Sequence, residues 1–160
     1  MDDYKKIEEH YAKKHGSAAN KTKKSIGDFT IDEKHPVNVK SNNVEKKNYS
    51  PNIISAKRLL LWLGKAENKL SFIFVDYKIE SGGKIKIIKD TGLVPVEHLS
   101  WECLTIEAQG WGVIQMVGKL KVDKTQNRKT FLHGLKKAYQ TFLSKERKKM
   151  AAIEKLIKDL

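Results

Sequence analysis

Cysteine is nearly absent from this chain: Cys103 is the only one in 160 residues. No intramolecular disulfide can form, so the fold must be held by its core, and a lone thiol fits a reducing compartment. The five histidines, at 10, 15, 35, 98 and 133, have no zinc-type spacing and no cysteine beside them, which argues against a structural zinc. No apolar run approaches the roughly 20 residues of a membrane span. The opening "MDDYKKIEEHY" is charged from the start, unlike a signal peptide. Internal repeats and low-complexity linkers are also missing. These absences leave the expectation of a soluble, cytoplasmic protein of a prokaryotic cell. Its length suits a single domain, residues 1–160, able to bury its own core.

Negative charge is scarce. Thirty-two Lys and Arg against 19 Asp and Glu give a formal net charge of +13. Such an excess on one small domain favours a polyanionic partner, usually nucleic acid. A solvated, lysine-rich surface is the plainer alternative, and the heavy preference for lysine over arginine suits it.

The apolar pattern predicts a mixed α/β domain: a central mixed sheet flanked by helices, with a long C-terminal helix. Tyr4, Ile7, Glu8 and Tyr11 share one face of a helix over 3–15, which Gly16 and Ser17 close. That places Glu8 on the apolar stripe, with Glu9 at its flank. Residues 17–25 are a polar, basic loop. "GDFTID" (27–32) and "VNV" (37–39) form a hairpin-like pair, with Pro36 tolerated only at a strand start. Residues 41–52 read as a polar loop, and 53–63 as a helix buried on a wide face. Strands are expected at 69–79 and 84–89, joined by "SGG". One or two helical turns follow at 95–104, then a glycine pair around Trp111 and a short strand by 116. A basic helix spans about 130–160, its apolar stripe formed by Phe131, Leu135, Ala138, Phe142, Met150, Ile153 and Leu156. The catalytic core would span about 27–116.

The chemistry concentrates at one strand end. Residues i and i+2 of a strand share a face, so Asn38 and Lys40 point together toward Asp28 on the neighbouring strand. An acid on one strand with acid-x-lysine on the next is what metal-assisted phosphodiester hydrolysis needs. Hard oxygen ligands hold Mg2+, and a cation steadies the attacking hydroxide or the developing charge.

"GDFTID…VNVKS" resembles the PD-(D/E)xK nuclease superfamily, specifically its small type II restriction endonucleases. Asp28 matches the first acid, Asn38 occupies the position of the second, and Lys40 matches the lysine. "PNIISAKRL" (51–59) and "HLSWECLTIEAQGWGVIQ" (98–115) add to the likeness, which covers residues 27–115. The resemblance implies a restriction-endonuclease-like fold, a homodimer, Mg2+ as cofactor and double-stranded DNA as substrate. It also implies a cognate DNA methyltransferase in the same system, and an accessory glutamate on the N-terminal helix, where Glu8 stands. Asp28, Asn38 and Glu8 would hold the metal, with Lys40 beside them. Ser41, Asn42, Asn43, Lys46, Lys47, Asn48, Tyr49, Asn52 and Lys57 are the candidate DNA contacts, since Asn suits adenine and Lys suits guanine or phosphate.

Asn38 departs from the pattern, because an amide brings no charge to the metal. Either the chain is an inactivated variant, which the isosteric Asp-to-Asn exchange favours, or it is a divergent member in which Glu8, Glu9 or Glu45 supplies the missing acid. Alternatives for the whole chain are a nicking or junction-resolving nuclease of the same fold, a catalytically impaired DNA-binding module, or a basic RNA- or ribosome-associated protein. Lys40 would otherwise be a solvated strand end, Asp28 a turn residue, and Glu8 a capping or snorkelling acid. Trp62, Trp101 and Trp111 read as core. Gln109 and Gln115, flanking the Gly-Trp-Gly turn, suit either DNA or a buried amide role.

Overall fold

A computed structural model describes residues 3–20 and 26–160; residues 21–25 of the expected basic loop lie outside them. Helix α1 spans Asp3–Lys14 and presents Ile7, Tyr11 and Ala12 to the core. Strands β1 (Phe29–Asp32) and β2 (His35–Asn43) form the expected antiparallel hairpin. Strand β4 (Ser71–Ile79) lies parallel to β2, and β5 (Ile85–Asp90) returns antiparallel to β4. The order β1-β2-β4-β5, with the two-residue β6 (Val94–Pro95) also on β4, makes a mixed five-stranded sheet. A second, three-stranded sheet orders β3 (Asn52–Ser55), β8 (Val113–Met116) and β7 (Leu104–Glu107). Helix α2 covers Ala56–Leu63 and helix α3 Arg128–Lys158. The protein is therefore α/β with a mixed sheet and a long C-terminal helix, but carries a second sheet that the sequence pattern did not predict.

Alternation along β2 and β4 divides the core in two. Val37, Val39, Ile73 and Val75 face Ile7, Tyr11, Ala12 and Phe29. Phe72 and Phe74, on the other face of β4, join Leu59, Leu99, Ile114 and Phe131. Tyr11 fastens α1 across the sheet by donating its hydroxyl to Asp90 Oδ2 at 2.7 Å.

Three expected elements differ. Residues 41–43 are strand, not loop: the pairs Ser41–Val75, Asn42–Asp76 and Asn43–Tyr77 extend the parallel ladder, which outweighs the turn preference of asparagine. Ile53 and Ile54 belong to β3, and α2 begins only after Ser55, whose hydroxyl caps Arg58 N–H. The outer side of α2 is not buried, since Leu61 is 71% exposed. Helix α3 packs through Phe131, Leu135, Ala138 and Phe142, but Met150, Ile153 and Leu156 of the expected stripe face outward. Near its start, Trp101 donates its indole N–H to Phe131 O at 3.0 Å and fills the space at Gly134, where a Cβ would lie 2.3 Å from Trp101 Cδ1.

Candidate active site

Strand β1 shields only the first part of β2, with Phe29 opposite Val37. One residue earlier the chain continues the ladder once more, Asp28 N–H donating to Val37 O at 2.8 Å. The Asp28 carboxylate then replaces the next strand residue: Val39 N–H donates to Asp28 Oδ2 at 2.6 Å. Gly27 permits this approach. A Cβ there would stand 2.8 Å from both Pro36 Cβ and Val37 O, closer than side-chain atoms pack. Asn20 clips the segment from outside, its N–H donating to Asp28 O at 2.6 Å and its amide to Gly27 O at 2.9 Å.

Glu8 reaches the same place from α1. It follows the buried Ile7 and shares a hydrogen bond with Asp28. Lys40 is largely buried on β2 and interacts electrostatically with both carboxyls. Strand alternation places Asn38 on the same side of β2 as Lys40, and its amide makes no hydrogen bond to another described residue. Glu9 is exposed on α1, and Glu45 sits in an exposed turn beyond β2. Of the three acids considered for the place that Asn38 leaves uncharged, Glu8 is the one hydrogen-bonded to Asp28.

Burial dominates the titration of the three groups. It pushes Glu8 up to about 7, with the Asp28 charge and the shared hydrogen bond adding to the rise, and Lys40 and Lys5 opposing it. It also raises Asp28, against the Val39 N–H, the Lys40 ammonium and the Glu8 hydrogen bond. Lys40 is lowered by burial and held up by Asp28 and Glu8. Two carboxyls in hydrogen-bonding contact cannot both ionise cheaply, so the pair holds a shared proton more tightly than either acid would alone.

This donor set suits Mg2+. The Glu8 and Asp28 carboxylates are hard ligands, and Mg2+ completes its shell with water and substrate phosphate. Divalent charge would relieve the repulsion that holds a proton on Glu8 near neutrality. Among the described residues, no group of three or more His, Cys, Asp or Glu side chains is placed to hold a metal; the acids that meet at this strand edge are Glu8 and Asp28.

The proposed DNA contacts fall into separate groups. Ser41, Asn42 and Asn43 are half-buried on β2. The Asn42 amide donates to Asp76 Oδ1 at 3.1 Å, and Asp76 is paired with Lys89 at 3.7 Å. Lys46, Lys47 and Asn48 are exposed in the following turn, where Asn48 takes a left-handed φ of 67°. Tyr49, a candidate DNA contact, is half-buried. It packs against the core, and its buried hydroxyl has no hydrogen-bond partner among the described residues. With Asn42, Asp76, Thr91 and Lys119 it lines a cavity of about 600 Å3. Asn52 is exposed and hydrogen-bonded to Gln109. Lys57 lies 4.8 Å over the Trp111 ring.

Trp111 corrects the sequence reading. Trp62 and Trp101 are partly buried against the core and donate to Lys69 O and Phe131 O, but Trp111 is 69% exposed. Its backbone is fixed all the same, because Tyr139 donates its hydroxyl to Trp111 O and Gly112 O accepts from Ala56 N–H. The glycines on either side were the available signal: they make a turn whose side chain projects. Gln115 is tied to Ser50 O, whereas Gln109 stays exposed. No helix among the described residues is long and apolar enough to cross a membrane. No protein-family model matches this chain, and no curated protein matches it closely enough to lend it a family.

Proposed function

We propose that this protein is an Mg2+-dependent, sequence-specific endonuclease of double-stranded DNA with a PD-(D/E)xK-type site, in which Glu8 supplies the charge that Asn38 lacks. The observation that carries the reading is the meeting of Glu8, Asp28 and Lys40 at one unshielded strand edge, in a chain of net charge +13. Three groups distant in sequence, each displaced from its ordinary titration range by burial, mark a functional site better than a solvated surface.

In this reading Mg2+, held by Asp28, Glu8 and the Asn38 amide oxygen, would polarise the scissile phosphate and acidify a water. Asp28 is kept in position by Val39 N–H. Glu8 gives up its proton as the pair becomes fully ionised. The Lys40 ammonium, already desolvated and held up by the two acids, stabilises negative charge developing at phosphorus. Exposed lysines supply sequence-independent attraction to the DNA backbone. One site cuts one strand, so double-strand cleavage calls for a homodimer, and a matching DNA methyltransferase would protect the host. With Glu8 beside Asp28, the chain reads as a divergent, working enzyme and not an inactivated variant.

The test is digestion of mixed-sequence DNA with Mg2+ by this chain and by its Asn38→Asp variant. Discrete fragments support the restriction reading, and nicked circles support the single-strand alternative. Tight, salt-sensitive binding with no cutting by either protein supports the DNA-binding module and ends the nuclease reading.

A further inference from the structure

The apolar stripe on the last half of α3 is covered by no described residue. At 1.5 Å per residue the 31-residue helix is roughly 46 Å long, and its packing on the body ends near Phe142. Beyond that point Leu143, Met150, Ile153, Leu156, Ile157 and Leu160 are all exposed, Met150 at 55% and Ile157 at 62%. Positions 143, 146, 150, 153, 157 and 160 follow the 3–4 spacing of a coiled-coil seam, and Glu146 is the one polar residue among them.

We propose that this half-helix is a dimerisation element, and that its occupant is the same segment of a second copy of this chain, in a parallel, in-register two-stranded coil. The flanks argue for the second copy and for the direction. With Leu143 at the first seam position, Lys149 and Glu154 fall on opposite shoulders. In a parallel pair, Lys149 of one chain meets Glu154 of the other, twice by symmetry. Lys149 already holds Glu146 of its own helix at 3.0 Å. Its ammonium has three donors and can bridge both acids, which screens the two Glu146 side chains from each other. A parallel coil lies along a two-fold axis and closes as a dimer, leaving no free apolar face to extend. The inference stands on the helix surface and does not depend on the nuclease reading, though it would bring two copies of the Glu8–Asp28–Lys40 site into one particle.

Sedimentation equilibrium of the full chain at tens of micromolar tests it without any cleavage assay. The native chain should weigh as a dimer, and Met150→Glu with Ile153→Glu, both exposed in the isolated chain, should weigh as a monomer with unchanged far-UV helicity. Glu154→Lys should weaken the dimer about tenfold, and adding Lys149→Glu should restore it. Ile153→Cys should cross-link to itself on mild oxidation while the native chain, with Cys103 buried, does not. A monomeric native chain overturns the proposal, as does a dimer that survives the Met150/Ile153 substitutions. A dimer lost on those substitutions, in which Ile153→Cys never cross-links, overturns the parallel arrangement.

Discussion

Glu8 and Asp28, twenty residues apart, meet as a proton-sharing pair at the edge of β2, where burial raises both and lifts Glu8 to about 7. Burial and mutual repulsion favour that protonated pair, and a divalent cation would replace the proton.

The pH dependence follows in sign. Glu8 titrates at about 7 in the folded chain against 4.5 ordinarily, so between these values the folded state binds the proton more tightly than the unfolded state. Without metal, its contribution to stability is present below about pH 4.5, declines as pH rises through 7, and is then level. Magnesium must displace the proton, so the thermal shift caused by Mg2+ should be small at pH 6 and large at pH 8. Glu8→Gln should flatten both trends in a melting series across that range.

Lys40 lowers the titration point of Glu8. Lys40→Met should therefore move the midpoint of the Mg2+ thermal-shift profile to higher pH. It should also cut DNA hydrolysis by about 10²–10³-fold, the usual loss of one charge-stabilising donor. A metal-binding profile that keeps its midpoint would place Lys40 outside the electrostatic unit.

Gly27→Ala drives a methyl into Pro36 and the Val37 backbone, where only a backbone shift can make room. The expected cost is about 1–3 kcal/mol. Because the shift displaces Asp28, cleavage should fall further than the loss of folded protein explains. Comparing denaturant melts with rates measured well below the transition separates the two.

Gly134→Ala meets the Trp101 ring, away from the site. It should lower Tm to a similar degree while leaving the cleavage rate per folded molecule unchanged.

The residues of the candidate site were easier to pick out in the sequence than the frame around them. Asp28, Asn38 and Lys40 were legible because strand alternation and a glycine-led hairpin are local signals. Glu8 was legible because helical spacing puts it beside Ile7. What sequence could not show was pairing. The polar Ser41–Asn43 became strand because β4 lay ready beside it, and Ile53 and Ile54 left the helix for β3, where Ile54 pairs with Ile114 of β8. The apolar stripe of α3 reads the same whether it faces the body or empty space, so its division at Phe142 emerged only with the fold. Tryptophan is a core residue by default, and the exposure of Trp111 depends on the turn its two glycines make.

The most direct measurement is plasmid cleavage with Mg2+ by the native protein, purified in parallel with Asp28→Asn. Metal-dependent cutting is expected from the native chain, with faster cutting after Asn38→Asp and none above background for Asp28→Asn. Equal cutting by native and Asp28→Asn proteins, or intact DNA with both the native chain and Asn38→Asp on every sequence tried, would contradict it.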